Sequence, residues 1–281
     1  MVENSPAIPY HESRVAAADG TTLFSRSWQP PAGPERAHLC ILHGYFEHGG
    51  RYRELAHRLA LAGIGSTALD LRGHGHSGGQ RGYVGQFEDY LDDVQVAMAL
   101  LPPQVPHFLL GHSHGALVGL DYLVGRAPQL AGVILTNPFL AMATPPPAAK
   151  AWIARLASTY APRLSLPSGL SPADVSRDPA VVQAYSRDSL IFRSANASWY
   201  REVNMAQRRV RTYRQLAVPL LYVYSDADRI AAPAANAALA DLLESPDKTV
   251  RLCPQAFHEV LNEPDRATLH AAIASWIGAR A

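Results

Sequence analysis

The chain has 281 residues; 48% are hydrophobic and 17% charged, and 25 Lys and Arg against 24 Asp and Glu leave a net charge of +1. This composition supports the packed core of one large or two small domains and excludes a disordered polyelectrolyte. The near-neutral balance argues against a nucleic-acid partner, and two cysteines, Cys40 and Cys253, are too few for a disulfide scaffold or a cysteine zinc site.

Residues 1–14 are polar, with Pro6 and Pro9, and have neither a basic n-region nor an apolar h-region. No signal peptide is expected there, and no stretch reaches the roughly 20 apolar residues of a membrane span. The expected location is the cytoplasm, which leaves room for surface contact with a membrane. Residues 14–18 and 22–28 flank Asp19-Gly20, which predicts a β-hairpin with a tight turn. A Pro/Gly loop at 30–34 leads to an apolar run at 38–42, read as a buried strand. Leu55, Leu59 and Ala62 fall at helical spacing within 51–62, and Gly63 ends that helix. Further on, strands are predicted at 65–71, 107–110 and 132–136, and helices at 86–101 and 116–124.

Apolar strands alternating with helices predict an α/β fold, a mostly parallel sheet with helices on both faces. The rhythm breaks at 138–216, which holds Pro145-Pro146-Pro147 and short helical patches but no convincing strand. It resumes with strands at 219–224 and 248–253 and helices at 233–243 and 265–277. The expected organisation is a core of residues 1–137 and 217–281 with residues 138–216 inserted. The insertion has eleven basic and four acidic residues, an excess of seven positive charges, and the rest of the chain is left six negative. Such asymmetry points either to an anionic partner or surface or to arginines that solvate short exposed helices.

Gly111-His112-Ser113-His114-Gly115 follows one predicted strand and opens the next helix. In that setting G-x-S-x-G is the sharp turn on which a nucleophilic serine is held. Side chains at 111 and 115 would collide there, hence the two glycines. The helix N-terminus offers N–H groups and a favourable dipole to a developing oxyanion. The serine needs a base and the base an orienting acid, in the chain order serine, acid, histidine. Both belong just beyond the C-terminal ends of strands. His258 follows the strand at 248–253 and is the expected general base, whereas its rival His270 lies within the last helix. Asp226 and Asp228 follow the strand at 219–224 and cannot both face the imidazole. Asp228, which leads into Arg229-Ile230 and a helix, is favoured; Asp226 is left as a loop or hydrogen-bonding residue.

With these residues in hand, the chain resembles an α/β-hydrolase of the monoglyceride lipase/lysophospholipase family. The likeness rests on Leu42-His43-Gly44-Tyr45-Phe46-Glu47-His48 with Arg51-Tyr52, on Asp70-Leu71-Arg72-Gly73-His74-Gly75-His76-Ser77, on the serine turn, on Ala227-Asp228-Arg229-Ile230 and on Phe257-His258, blocks that span residues 42–258. The resemblance implies a triad of Ser113, Asp228 and His258, an oxyanion hole made by the backbone N–H groups of Tyr45 and His114, and an insertion acting as a cap over the acyl pocket. It also implies hydrolysis of an ester with a single fatty-acyl chain, a monoacylglycerol or a lysophospholipid, without a cofactor. Two positions depart from the family. His114 stands where relatives usually carry methionine; its titratable ring would either alter the pH dependence or, as favoured, line the pocket. Phe46 stands where they usually carry glycine, so its ring would narrow or redirect the alcohol side.

Over 148–161, Trp152, Ile153, Leu156 and Tyr160 form one apolar stripe, with Lys150 and Arg155 off its centre. Such a helix closes an apolar tunnel or rests on a lipid surface. Trp152 and Leu156, with Phe46, are therefore the expected substrate-binding side chains, and contact of the basic insertion with a membrane is the expected further interaction. His74-x-His76 and His112-x-His114 lack clustered carboxylates or cysteines, so no metal is expected; His43 and His48 are expected to pin the oxyanion loop. Competing readings are a short-chain carboxylesterase, a proline-releasing aminopeptidase, or a non-catalytic ligand-binding protein. The acid-poor insertion argues against the peptidase, and the complete triad against the last.

Overall fold

A computed structural model describes residues 7–281; the sequence reading of residues 1–6 lies outside them. In chain order the elements are β1 (Tyr10–Ala16), β2 (Thr22–Trp28), β3 (Ala37–Leu42), α1 (Arg53–Leu61), β4 (Ile64–Asp70), α2 (Glu88–Ala99), β5 (His107–His112), α3 (His114–Arg126) and β6 (Gly132–Thr136). Then come α4 (Ala148–Tyr160), β7 (Ser165–Pro167), α5 (Pro179–Arg187), β8 (Ser194–Asn196), α6 (Ala197–Val210), β9 (Leu220–Ser225), α7 (Pro233–Leu242), β10 (Lys248–Cys253) and α8 (Arg266–Gly278).

Eight strands form one sheet in the order β1-β2-β4-β3-β5-β6-β9-β10. The pairs from β4 to β10 are parallel, and the hairpin adds two antiparallel strands at one edge. The central strands are apolar throughout because both faces are covered, and alternate residues serve opposite sides. Leu39, Ile41, Phe108, Leu110, Leu221 and Val223 pack with α1 and α8 residues such as Leu55, Leu59 and Ile273. Cys40, Leu42, Leu109, Leu220 and Tyr222 pack the other way, with Val94 of α2, Leu117 of α3 and Leu239 of α7. This fixes the register, since a one-residue slip would exchange the two faces.

The segment between β6 and β9 contains two strands that the sequence reading did not contain. β7 and β8 pair antiparallel through three residues each, Ser165 to Asn196 and Pro167 to Ser194. Runs so short have no readable alternation, and a ladder between residues thirty apart is set by the helices around it. The segment is moored to the core by ion pairs. Arg209 Nε donates to Asp121 at 2.9 Å, Arg177 Nε to Glu263 at 2.5 Å, and Arg266 of the core to Asp178 at 3.0 Å. Part of its positive excess therefore meets acids of the core.

The sheet topology gathers the C-terminal ends of five parallel strands along one edge. Gly44 follows β3, Ser113 follows β5, Asn137 follows β6, Asp228 follows β9 and His258 follows β10. Among the described residues no helix is long and apolar enough to cross a membrane.

Candidate active site

Ser113 occupies the turn between β5 and α3 at φ 53°, ψ −114°. For a residue with a β-carbon this backbone costs about 1–3 kcal/mol, and it is held by Ser113 N–H donating to Thr136 O at 2.9 Å. The flanking glycines have separate reasons. A β-carbon on Gly111 would lie 2.5 Å from Gly115 O, inside the turn itself. One on Gly115 would lie 2.6 Å from His43 O, in the chain leaving β3. The second glycine lets α3 start against the neighbouring strand.

His258 Nε2 stands 2.8 Å from Ser113 Oγ, and His258 Nδ1 stands 2.7 Å from Asp228 Oδ2. An ionised carboxylate only accepts, so Nδ1 carries the proton and Nε2 is free to accept from the serine. The other oxygen of Asp228 accepts from the N–H groups of Ile230 and Ala231 at 2.8 and 2.9 Å, which fixes the carboxylate. Burial pulls the His258 pKa down, but the charge and hydrogen bond of Asp228 outweigh it and hold the imidazole above its ordinary value. Asp226 is exposed, and its Oδ1 accepts from Gln255 N–H at 2.6 Å, bracing the loop rather than the imidazole. His270 Nε2 donates to Leu261 O, 2.9 Å away, inside the core.

The N–H groups of Tyr45 and His114 have no acceptor among the described residues. The loop that carries Tyr45 is pinned on several sides. His43 Nε2 accepts from Leu71 N–H at 2.9 Å, so its Nδ1 donates to Gly44 O at 2.7 Å. Gly44 N–H donates to Glu47 Oε1 at 2.7 Å, and the Tyr45 hydroxyl donates to Gly82 O at 2.6 Å. The Tyr45 ring stacks on Trp199 of α6 at 3.6 Å. His48 Nδ1 accepts from Gly50 N–H, and its Nε2 donates to Asp188 of the inserted segment at 2.9 Å.

A cavity of about 510 Å³ opens above Ser113 and His258. Its apolar lining includes Met142, Pro145, Ala151, Ala154, Leu166 and Leu170. Phe46, Glu47, Tyr185 and Glu259 also line it, the last three gathered around Arg51. Phe46 takes a φ of 78°, again unusual for a residue with a side chain.

Two expectations need correction. Trp152 and Leu156 do not line the cavity: they are 63% and 39% exposed, on the outer face of α4 with Ile153 and Tyr160. The helix turns its small residues Ala151 and Ala154 inward, because they leave room for the cavity where the large ones would fill it. The His114 ring does not line the cavity either. It is fully buried between Tyr90, Tyr45, Trp199 and Phe87, at ring distances of 4.9 to 6.1 Å. Both of its nitrogens lack partners among the described residues, and burial, helped by His43, pushes its pKa down to about 3, so the ring is neutral.

Other contributors had no assigned role in the sequence reading. Arg51 bridges Glu47 at 3.2 Å and Glu259, and its guanidinium lies over the Tyr185 ring. It thus joins the Tyr45 loop to the residue after His258. Burial pushes the Glu259 carboxyl up despite Arg51, while Arg51 and neighbouring histidines overcome burial at Glu47 and hold it low. Asn137 Oδ1 accepts from Ser225 N–H at 2.9 Å, and its Nδ2 donates to His258 O at 2.6 Å, cross-linking the acid and histidine loops. Its φ of 42° is one that asparagine tolerates, and an Asn-Pro step closing a strand was the available signal. His112 packs beside His258 at 4.8 Å and donates to Thr136 O; burial, then the charge of His258, lowers its pKa to about 4.

Residues 33–265 match the family model described as serine aminopeptidase, S33. The chain is 33% identical to the human monoglyceride lipase over 279 residues, covering 95% of this chain and 91% of that protein. It is 29% identical to the monoacylglycerol lipase of Mycolicibacterium smegmatis, covering 95% and 96%. The crystal structure of Paleococcus ferrophilus monoacylglycerol lipase superposes with a TM-score of 0.82 at 28% identity, over 97% of this chain and all of that one. The chain therefore belongs to the serine α/β-hydrolases of the monoglyceride lipase and lysophospholipase family.

Proposed function

We propose that this protein hydrolyses carboxylic esters of a single fatty-acyl chain through an acyl-enzyme on Ser113. The observation that carries the reading is the unbroken hydrogen-bonded series Ser113–His258–Asp228 opening into a largely apolar cavity of about 510 Å³. Ser113 Oγ attacks the ester carbonyl as His258 Nε2 takes its proton, and the carbonyl becomes an oxyanion held by the Tyr45 and His114 N–H groups. The tetrahedral intermediate collapses, the C–O bond to the alcohol breaks, and His258 returns the proton to the leaving oxygen. Water then enters, gives its proton to His258 and attacks the acyl carbon; collapse releases the fatty acid and restores Ser113. An acyl chain against the apolar lining gains about 0.8 kcal/mol per buried CH₂.

The alcohol leaves on the His258 side, next to Glu259, Glu47 and Tyr185. With Arg51 between them, Glu47 and Glu259 leave at most one net negative charge there, which favours an uncharged polyol, whose hydroxyls donate, over a phosphate, which it repels. The cavity's two cations are already engaged: Lys150 Nζ donates to Pro167 O at 2.8 Å, and Arg229 lies 3.5 Å from Asp174. Relatives named as monoacylglycerol lipases support the same preference. Monoacylglycerol is therefore the proposed substrate, ahead of lysophospholipid.

Residues 138–216 serve as a cap on a core of residues 1–137 and 217–281. The outer face of α4, with Trp152, Ile153, Leu156 and Tyr160 exposed and Arg155 beside them, is the proposed contact with an anionic lipid surface. The test is fatty-acid release from a monoacylglycerol and a lysophospholipid of equal chain length, with S113A as control. Preferential release from the monoacylglycerol is expected. Turnover of a proline amide but of neither lipid would replace this reading with the peptidase one.

A further inference from the structure

Three residues of the site that are not glycine carry a positive φ: Ser113, Asn137 and Phe46. For the first two the structure gives a reason, since Ser113 presents its hydroxyl from the turn and Asn137 bridges two loops. At Phe46 the chain would follow the same path with glycine, and more easily. What the position gains from phenylalanine is the ring. That ring is 9% exposed and packs edge-on against Tyr45 at 4.5 Å and Phe192 at 5.3 Å. Phe192 belongs to the inserted segment, and its N–H donates to Phe46 O at 3.3 Å. The ring is thus fastened to the segment by backbone and side chain together.

Its place in the cavity follows from its neighbours. Phe46 adjoins Glu47, which Arg51 joins to Glu259, the residue after the base that protonates the leaving alcohol. Both Phe46 and Glu47 line the cavity. On the ester-hydrolase reading above, the geometry points to Phe46, backed by Phe192, as a size filter on the alcohol portion of the substrate. It admits a compact alcohol such as glycerol and obstructs one enlarged by a phosphocholine group. A rigid aromatic wall discriminates by steric exclusion, independently of the charge preference of Glu47 and Glu259.

The test compares kcat/KM for lauroyl esters of methanol, glycerol and glycerophosphocholine in wild type, F46G, F46A and F192A, with chain-length series of the methyl ester and Tm for each. In F46G the ratio of glycerophosphocholine ester to methyl ester is expected to rise at least tenfold, with the chain-length profile unchanged. F192A, which removes the backing of the ring, is expected to move the same ratio in the same direction by a smaller factor, and it carries the test should F46G not fold. A folded variant with an altered chain-length profile and an unaltered alcohol ratio would put the ring at the acyl end and overturn the filter. So would no change in either. If wild type turns over none of the esters, the underlying hydrolase reading fails instead, a distinct result.

Discussion

His48 Nε2 lies 2.9 Å from Asp188 Oδ2, joining the loop after β3 to the inserted segment across 140 positions of sequence. Burial opposes ionisation of Asp188, but hydrogen bonds from His48 and Leu190 N–H outweigh it and keep its carboxyl below the usual range. A depressed carboxylate adds stability above its unfolded pKa, near 3.9, and that stability is lost as pH falls through the folded value. D188N is therefore expected to lower Tm by about 2–4 °C at pH 7, as a loss of about 1 kcal/mol would, and the gap should narrow as pH falls through the folded value. Thermal melts at pH 7 and in acid decide it. An equal gap at both would assign the effect to packing alone.

The two aspartates after β9 are separated by their partners. D228N removes the orienting acceptor of His258 and is expected to lower kcat by about 10⁴. D226N loses only a brace on Gln255 N–H and should remain within about tenfold of wild type. Single-turnover kinetics on a soluble ester measure both, and the reverse ranking would show that the hydrogen bond at 2.7 Å is not the working one.

The base must be neutral to accept from Ser113. Because Asp228 raises the His258 pKa, the acid limb of kcat/KM should have its midpoint above the ordinary histidine value of about 6.5, activity rising with pH. For stability the sign is opposite: a raised imidazole stabilises the fold fully below its unfolded pKa and loses that contribution as pH rises through the folded value. D228N should shift the residual activity limb to lower pH. A limb unmoved by that substitution would belong to another group.

Removing the nucleophile in two ways tests the strained turn. S113A and S113G should both lower kcat by about 10⁶. At φ 53° alanine keeps the strain while glycine relieves it, for a net gain of about 1 kcal/mol after the greater entropy of the unfolded glycine chain. S113G should then melt about 2–4 °C above S113A. Equal melting temperatures would mean that the turn is not strained in solution.

The outer face of α4 predicts a membrane effect distinct from the chemistry. Replacing Trp152 and Leu156 together by serine should weaken binding to anionic vesicles about tenfold or more, corresponding to at least ~1.4 kcal/mol. The ratio of vesicle-borne to dissolved-substrate turnover should fall with it. Sedimentation with vesicles measures the first, and unchanged sedimentation would leave the exposed stripe without a lipid role.

The sheet, the serine turn and the placing of the acid and the base were legible in the sequence because each is local. Buried parallel strands are short apolar runs, helices are periodic, and Gly111 and Gly115 mark a turn that no β-carbon fits. The resemblance over residues 42–258 then implied the oxyanion roles of Tyr45 and His114. What the sequence could not decide was the direction in which side chains point once elements pack. The stripe of α4 was visible, but a helix can turn either face inward, and the cavity selected Ala151 and Ala154 rather than Trp152 and Leu156. His114 sits beside the nucleophile in sequence, yet its ring leaves the cavity for an aromatic cage supplied by α2, α6 and the loop after β3. The Glu47–Arg51–Glu259 bridge and the Asn137 cross-link join positions far apart in the chain. Hydrogen bonds and ion pairs of that kind depend on distances that only the folded sheet sets, which is why the reaction class was readable from residues and the shape of the cavity only from the tertiary structure.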